Sequence, residues 1–330
     1  MSARKQPRHL RTGSNTPHPW CRRQRQAGAR KSSGGAARVE TRGSRTRWVL
    51  ACLLVCALML IGIGAVAYPH VAAWQNQYYQ NDILAAYEKT KQNASPPLHS
   101  QIEQAQAYNR ALRFFGAVKA GERIPVGQKG GGDIPGFKYA DLLSSQGAGG
   151  IMGRVRIPKI NVDLPIYHGS DEATLLKGVG HLEGTSLPVG GKNTHAVLTA
   201  HRGLAEAKYF TDLNKLNKGD VFTVSAAGQD LAYRVTNMQV VSPQETQVLR
   251  LQPGKDLVTL VTCTPLGINS HRIIVTAQRI TPTPEAYKHL PPLTPYPWAL
   301  AIAGTLAVLT IVFTVFLILP PKKEKDRDSN

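Results

Sequence analysis

Two long uncharged stretches dominate the pattern of apolar and polar positions along this 330-residue chain: 48–68 and 298–319. As a helix, each reaches about 30 Å, which matches the apolar thickness of a bilayer. Aromatic residues stand at their ends, as they do at membrane–water interfaces. Neither stretch has the polar face of a buried core helix, and the first is too long for a cleaved signal peptide. The pattern therefore predicts two transmembrane helices.

Between these stretches, apolar residues first recur at helical intervals and then show no regular spacing. Residues 69–115 have helical spacing, interrupted by a Pro-Pro pair. After that pair, Ser100 and Glu103 match a capping box, which predicts the start of a second helix there. Residues 116–150 are rich in glycine and have no core of their own. A loop of this length is typical of a functional lid or of disorder.

From residue 151 the pattern becomes that of short strands, rich in Val, Ile and Thr and bounded by turn residues. No helices alternate regularly with them, so a parallel βαβ sheet is not expected. The pattern predicts a small closed or sandwiched all-β domain over 151–281. A proline-rich connector, 282–297, leads to the second apolar stretch. The candidate strands are 151–157, 162–167, 194–200, 220–226, 230–241, 256–263 and 271–280.

The net charge of +19 is concentrated at the N-terminus. Residues 1–47 hold 13 Lys and Arg and one acidic residue, with too few aliphatic residues to form a core, so we expect disorder. The tail 320–330 is also basic. By the positive-inside rule both termini face the cytoplasm and 69–297 lies outside. A nucleic-acid-binding role is not favoured, because no base-reading motif accompanies the basic run. Contact with acidic membrane lipids fits better.

The cysteines point to chemistry rather than to a structural framework. Their irregular spacing excludes a disulfide framework and a four-cysteine zinc site. Only Cys263 falls in the external region, at the end of the run DLVTLVTC. A cysteine there can be core filler or a rigidly held, exposed nucleophile. His201 and Arg272 also lie at strand ends, and this combination favours the nucleophile. The four cysteines are Cys21, Cys52, Cys56 and Cys263.

These residues sit in segments that resemble the sortase family, and the arrangement resembles class C, the pilus-assembly type. The matching segments are IPKINVDLPIYHG, KGVGHLEGTSLPVGG, THAVLTAHRG, FTDLNKL and LVTLVTCTPLGINSHRI. They cover about 151–281 in order. The resemblance implies a mainly β fold, an eight-stranded sortase-type β-barrel with N-terminal helices and two transmembrane helices.

The resemblance also implies a reaction. Cys263 attacks the Thr–Gly bond of an LPXTG-like sorting signal on a pilin or surface protein and forms a thioacyl-enzyme. His201 acts as general acid and then base, and Arg272 stabilises the oxyanion or the substrate backbone. A pilin lysine amine then resolves the intermediate. No ATP, metal or other cofactor is implied. The alternatives are anchoring of surface proteins to a cell-wall precursor, and a non-catalytic scaffold that binds sorting signals.

The chain departs from the class C pattern at the lid. The expected Asp-Pro-aromatic tripeptide is absent, and Asp133 and Phe137 supply its parts at looser spacing. The two residues are therefore candidates for a lid over the nucleophile, with a flexible loop as the alternative. The remaining external histidines are expected to be structural or on the surface, and they include His168, His181, His195 and His271.

Overall fold

The computed structural model describes residues 40–92, 94–115, 134–144, 149–288, 293 and 297–319. The chain divides into two compact units, Met1–Leu53 and Leu54–Asn330. The described residues of the first unit form the beginning of a helix. The second unit holds the strands and the remaining helices.

Three helices of more than one turn flank the strands: Glu40–Gln92 (α1), Leu98–Phe115 (α2) and Trp298–Ile318 (α4). Within α1 and α4, the segments Gly43–Lys91 and Trp298–Ile318 are long and apolar enough to span a membrane. The predicted span 48–68 lies inside α1, which continues well beyond it.

Helix α2 begins earlier than the capping box predicts. It starts at Leu98, so Ser100 lies in its first turn and is not the N-cap. The reason is local: the Gln101 backbone N–H donates to the Pro97 carbonyl at 3.1 Å, and the Gln101 side chain donates to the Pro96 carbonyl at 2.6 Å. The helical hydrogen bonds therefore begin at the Pro97 carbonyl, directly after the two prolines, and the Gln101 side chain binds the residue just before that start.

Eight strands close into a barrel in the order β1–β2–β3–β4–β7–β8–β6–β5. This confirms the prediction of a mainly β, eight-stranded barrel with N-terminal helices and two apolar helices. The seven strands expected from the sequence are present within a residue or two. The strands are Ile151–Ile157 (β1), Val162–His168 (β2), Val179–His181 (β3), Thr194–Thr199 (β4), Val221–Ala226 (β5), Gln229–Val241 (β6), Asp256–Thr264 (β7) and His271–Arg279 (β8).

Strand β3 is the one that the apolar pattern misses, because three residues are too few to show alternation. It pairs parallel to β2, and the crossover between them carries the one-turn helix Glu172–Leu175 (α3). Gly180 in β3 makes this close packing possible. A Cβ there would lie 2.3 Å from the carbonyl oxygen of Gly169 and 2.9 Å from Leu175.

The barrel separates two apolar clusters. The larger, inner cluster fills the barrel and includes Leu198, Leu260 and Val275. Side chains alternate between the two faces of a strand, so their neighbours point outward. These neighbours form a smaller outer cluster under the connection between β6 and β7, made of Leu182, Val197, Val241, Leu249, Val261 and Ile274.

A buried ionic cluster links α1 to the barrel. The Arg154 guanidinium donates to both carboxylate oxygens of Asp163 at 2.6 Å, and Asp163 is fully buried. Arg156 lies 3.7 Å from the same carboxylate, and Glu88 of α1 lies 3.7 Å from Arg154. A buried charge needs such partners to offset its desolvation.

Candidate active site

Strand pairing brings three distant residues to one edge of the barrel. Strands β4 and β7 are parallel, and Thr199 pairs with Val261. The Ala200 N–H donates to the Val261 carbonyl at 3.2 Å, so the register continues past the strand end and sets His201 beside Cys263. Strands β7 and β8 are antiparallel, with Cys263 directly opposite Arg272.

The three side chains face the outer cluster. Cys263 lies two residues beyond Val261, and Arg272 two residues before Ile274, so both share the outward face of those residues. The floor next to them is therefore apolar. The Thr199 hydroxyl, which lies on the same face of β4, is buried and has no hydrogen-bond partner among the residues that the structure describes. Such a combination suits an extended chain with an apolar side chain and backbone groups to be bound.

Cys263 is buried, with only 8% of the residue exposed. Burial raises the pKa of its thiol, the positive charge of Arg272 lowers it, and the negative charge of Glu172 raises it. Because the net direction is upward, the resting thiol is mostly protonated at neutral pH, and activation needs a nearby proton acceptor.

Arg272 is buried and firmly held. Its Nη1 donates to the carbonyl of Asn269, in the turn between β7 and β8, at 2.8 Å and to that of His271, the first residue of β8, at 3.0 Å. In the part of the chain that the structure describes, its Nε is buried without a hydrogen-bond partner. A fixed guanidinium with a spare donor is suited to binding a carbonyl oxygen or a developing oxyanion.

His201 follows β4 and is largely buried. Its Nε2 lies 3.3 Å from Glu172 Oε1, and the side chain of Glu172 is 63% exposed. The geometry of this approach is not that of a hydrogen bond, so Nε2 has no hydrogen-bond partner within the described ranges. The contact is therefore one of charge proximity, and the ring nitrogen remains available for proton transfer.

Arg202 ties the loop that carries His201 to the strand that carries Cys263. Its Nη1 donates to the Thr264 hydroxyl at 3.0 Å, its Nε to the Thr211 carbonyl at 3.0 Å, and its Nη2 to the Asn214 side chain at 3.3 Å. The next residue, Gly203, has φ +78°, and a Cβ there would lie 2.4 Å from Leu266. Arg202 and Gly203 thus fix two loops of the site against each other.

The other histidines are placed as follows. His195 is buried, with Nε2 2.7 Å from the Thr259 hydroxyl and Nδ1 2.9 Å from the Arg250 carbonyl, and burial lowers its pKa. His271 is exposed and contacts Ser270. His195 shares the outward face of Val197 and Thr199 but lies at the opposite end of β4 from His201, whereas His271 lies on the other face of β8 from Arg272.

His168 and His181 hold the segment 134–144. Tyr139 lies between them, with its hydroxyl 2.8 Å from His181 Nδ1 and its ring edge-on to His168. Since His181 Nε2 faces the Ser186 carbonyl at 2.8 Å, Nε2 carries the proton and Nδ1 accepts from Tyr139. Burial lowers the pKa of His181 to about 4 and also lowers that of His168.

Of the two lid candidates, Asp133 lies outside the described residues. Phe137 packs edge-on against Tyr108, with ring centroids 5.8 Å apart, next to the inner cluster. The lid role of Asp133 and Phe137 stays a prediction.

Two residues at this edge were not anticipated from the sequence: Glu172 and Arg202. Arg202 directly follows His201, so its position was a usable signal. Glu172 was marked only by the Asp-Glu pair at the start of a helical turn, where Asp171 is the N-cap. Its approach to His201 comes from the crossover between β2 and β3, which no local pattern shows.

Comparisons with known proteins show which family and which solved structures this chain is similar to. The sortase domain family matches residues 155–280. Sortase D of Bacillus subtilis is 33% identical over 132 residues. The match covers 39% of this chain and 64% of that relative, so this chain spans less than two thirds of the relative's length. Among solved structures, sortase C1 of Streptococcus agalactiae is 40% identical with a TM-score of 0.53, covering 62% of this chain and 98% of that one. Sortase C of Streptococcus pneumoniae, described in terms of catalysis and pilin substrate specificity, is 39% identical with a TM-score of 0.52, covering 62% and 98%.

Proposed function

This chain belongs to the sortase family of cysteine transpeptidases, and we propose that it cleaves an LPXTG-like sorting signal and joins the new acyl group to a pilin lysine. The observation that carries the proposal is the meeting of Cys263, His201 and Arg272 at the ends of β7, β4 and β8. The similarity to sortase C enzymes supports pilin polymerisation over other transfers.

In the first step, the Cys263 thiol gives its proton to the imidazole of His201, and the resulting thiolate attacks the carbonyl carbon of the Thr–Gly bond. The Nε of Arg272, which is buried and unpaired among the described residues, is available to donate to the oxygen on which charge develops. The protonated imidazole of His201 donates its proton to the leaving glycine nitrogen, and the C–N bond breaks. The product is a thioester between Cys263 and the threonine carbonyl, and the imidazole is left neutral.

In the second step, the acceptor amine attacks the thioester. His201 now takes a proton from the incoming nitrogen, and the Cys263 sulfur leaves. One amide bond is broken and one is formed, so the exchange needs no ATP or cofactor.

The two apolar helices support a membrane-anchored arrangement. By the positive-inside rule, the basic tails 1–47 and 320–330 are cytoplasmic, and the barrel lies on the extracytoplasmic side. There it meets secreted proteins that carry C-terminal sorting signals.

The proposal is tested by mixing the full-length protein in detergent with a shaft pilin. Wild-type protein should give a ladder of covalent pilin oligomers on a denaturing gel, and Cys263→Ala should give none. If the pilin is instead joined only as a monomer to a wall precursor, the function is anchoring of surface proteins and not polymerisation. A Cys263→Ala variant that retains full cellular function would instead indicate a scaffold that binds sorting signals.

A further inference from the structure

Glu172 occupies a fixed, exposed corner beside the nucleophile and the histidine. It opens α3, which is capped by the Asp171 carboxylate accepting from the Thr174 N–H at 2.9 Å. Leu175 anchors this turn in the interior and is fully buried. The Glu172 carboxylate is therefore held near the site by its backbone, while most of its side chain faces solvent.

This carboxylate contacts His201 and acts on Cys263 through its charge. Glu172 Oε1 lies 3.3 Å from His201 Nε2. Its negative charge also reaches Cys263, where it raises the pKa of the thiol. A carboxylate near the nucleophile disfavours the thiolate and so opposes the first step. The negative charge of Glu172 is better suited to the second step, in which the cationic acceptor approaches the site.

We propose that Glu172 binds the ammonium group of the acceptor, so that the enzyme selects a cationic aliphatic amine over neutral nucleophiles such as water. The inference rests on the proposed function and names the acceptor subsite of the same site. It applies to an ammonium carried by a pilin lysine or by a wall precursor, because both present the same group.

The position fits the proton balance of the second step. The acceptor arrives as an ammonium and gives up two protons as its nitrogen becomes an amide. One passes to the neutral imidazole of His201, which lies against Glu172, and the other goes to the departing thiolate of Cys263. The N–C bond forms as the C–S bond breaks. An ammonium paired with Glu172 is thus held close to His201, the base that deprotonates it.

The test compares two acceptors with the full-length protein in detergent and a sorting-signal peptide. One acceptor is a lysine-containing peptide, and the other is hydroxylamine, which is neutral at neutral pH. The measured quantity is the ratio of kcat/KM for the two acceptors. Glu172→Gln should lower this lysine-to-hydroxylamine ratio about three- to fivefold, the range of a partly exposed ion pair, mostly through a higher KM for the lysine peptide. Glu172→Arg should lower it further.

The matched control is Glu103→Gln, an exposed glutamate on α2 whose ion-pair partner among the described residues is His99. It should leave the ratio at the wild-type value. A wild-type ratio in Glu172→Gln would overturn the acceptor subsite, including the case in which both acceptors slow equally because Glu172 only orients His201. The proposed function fails separately, if wild-type protein forms no thioacyl-enzyme with the sorting-signal peptide.

Discussion

Arg202 offers a direct test of how the site is held together. Its guanidinium makes three hydrogen bonds that join the loop after β4 to Thr264 and to the segment around Thr211. A hydrogen bond to a charged group contributes about 1.5–3 kcal/mol when buried. Arg202 is half-buried, so we take about 1 kcal/mol for each bond and about 3 kcal/mol as the upper bound for the set.

Replacing Arg202 by Ala frees the loop that carries His201 from the strand that carries Cys263. Water replaces part of the lost hydrogen bonding, so we expect the geometry of the site to lose about 1–2 kcal/mol of stabilisation. Since 1.4 kcal/mol is a factor of ten, acylation should slow about five- to thirtyfold. Arg202→Lys should recover only part of the rate, because an ammonium cannot make three bonds in the plane of a guanidinium.

The assay measures thioacyl-enzyme formation with a sorting-signal peptide, together with unfolding in urea. Arg234→Ala is the control, since Arg234 is exposed and pairs with Gln278, at the far end of β8 from Arg272. Thr264→Val removes one of the three bonds with little change in volume and should slow acylation about fivefold. Rates within twofold of wild type for both Arg202→Ala and Thr264→Val would refute this account of the site.

Three further predictions follow from the burial of charged and aromatic groups. Asp163→Ala leaves buried arginine without its carboxylate and should lower the free energy of unfolding in urea by about 3–5 kcal/mol, whereas Glu285→Ala, at an exposed pair, should change it by less than about 1 kcal/mol. Burial lowers the pKa of His181 to about 4, whereas its value in the unfolded chain is about 6.5. Between these two pH values the unfolded chain therefore binds a proton that the folded chain does not. Stability should therefore fall as the pH drops through this window, and His181→Gln should flatten the slope. If Phe137 forms part of a lid, Phe137→Ala should speed alkylation of Cys263 in a background that lacks the other cysteines, and an unchanged rate would remove it from that role.

The strands of this protein were largely predictable, because alternation of apolar residues is a local property of the chain. Seven strands could be read from it, and β3 could not, since three residues hold too little pattern. The start of α2 after the two prolines was also predictable, but its cap residue was not. The first helical hydrogen bond reaches back to the Pro97 carbonyl, three residues before Ser100.

The site shows the same division between local and non-local information. Cys263, His201 and Arg272 could be singled out because each stands at the end of a strand. That His201 lies beside Cys263 depends on the parallel pairing of β4 with β7, between residues about sixty positions apart. The approach of Glu172 to His201 depends on a crossover packed over Gly180.

The sequence by itself determined the apolar helices, the separation of a basic tail from the barrel, and the residue types available for acyl transfer. Hydropathy, charge and strand alternation depend on each residue and its immediate neighbours, so they survive in the linear order. Only the tertiary structure decided which face Cys263 and Arg272 share, which polar atoms stay unpaired beside them, and that a carboxylate stands next to the histidine. Those properties arise from strand register and close packing, whose free energy depends on contacts between distant parts of the chain.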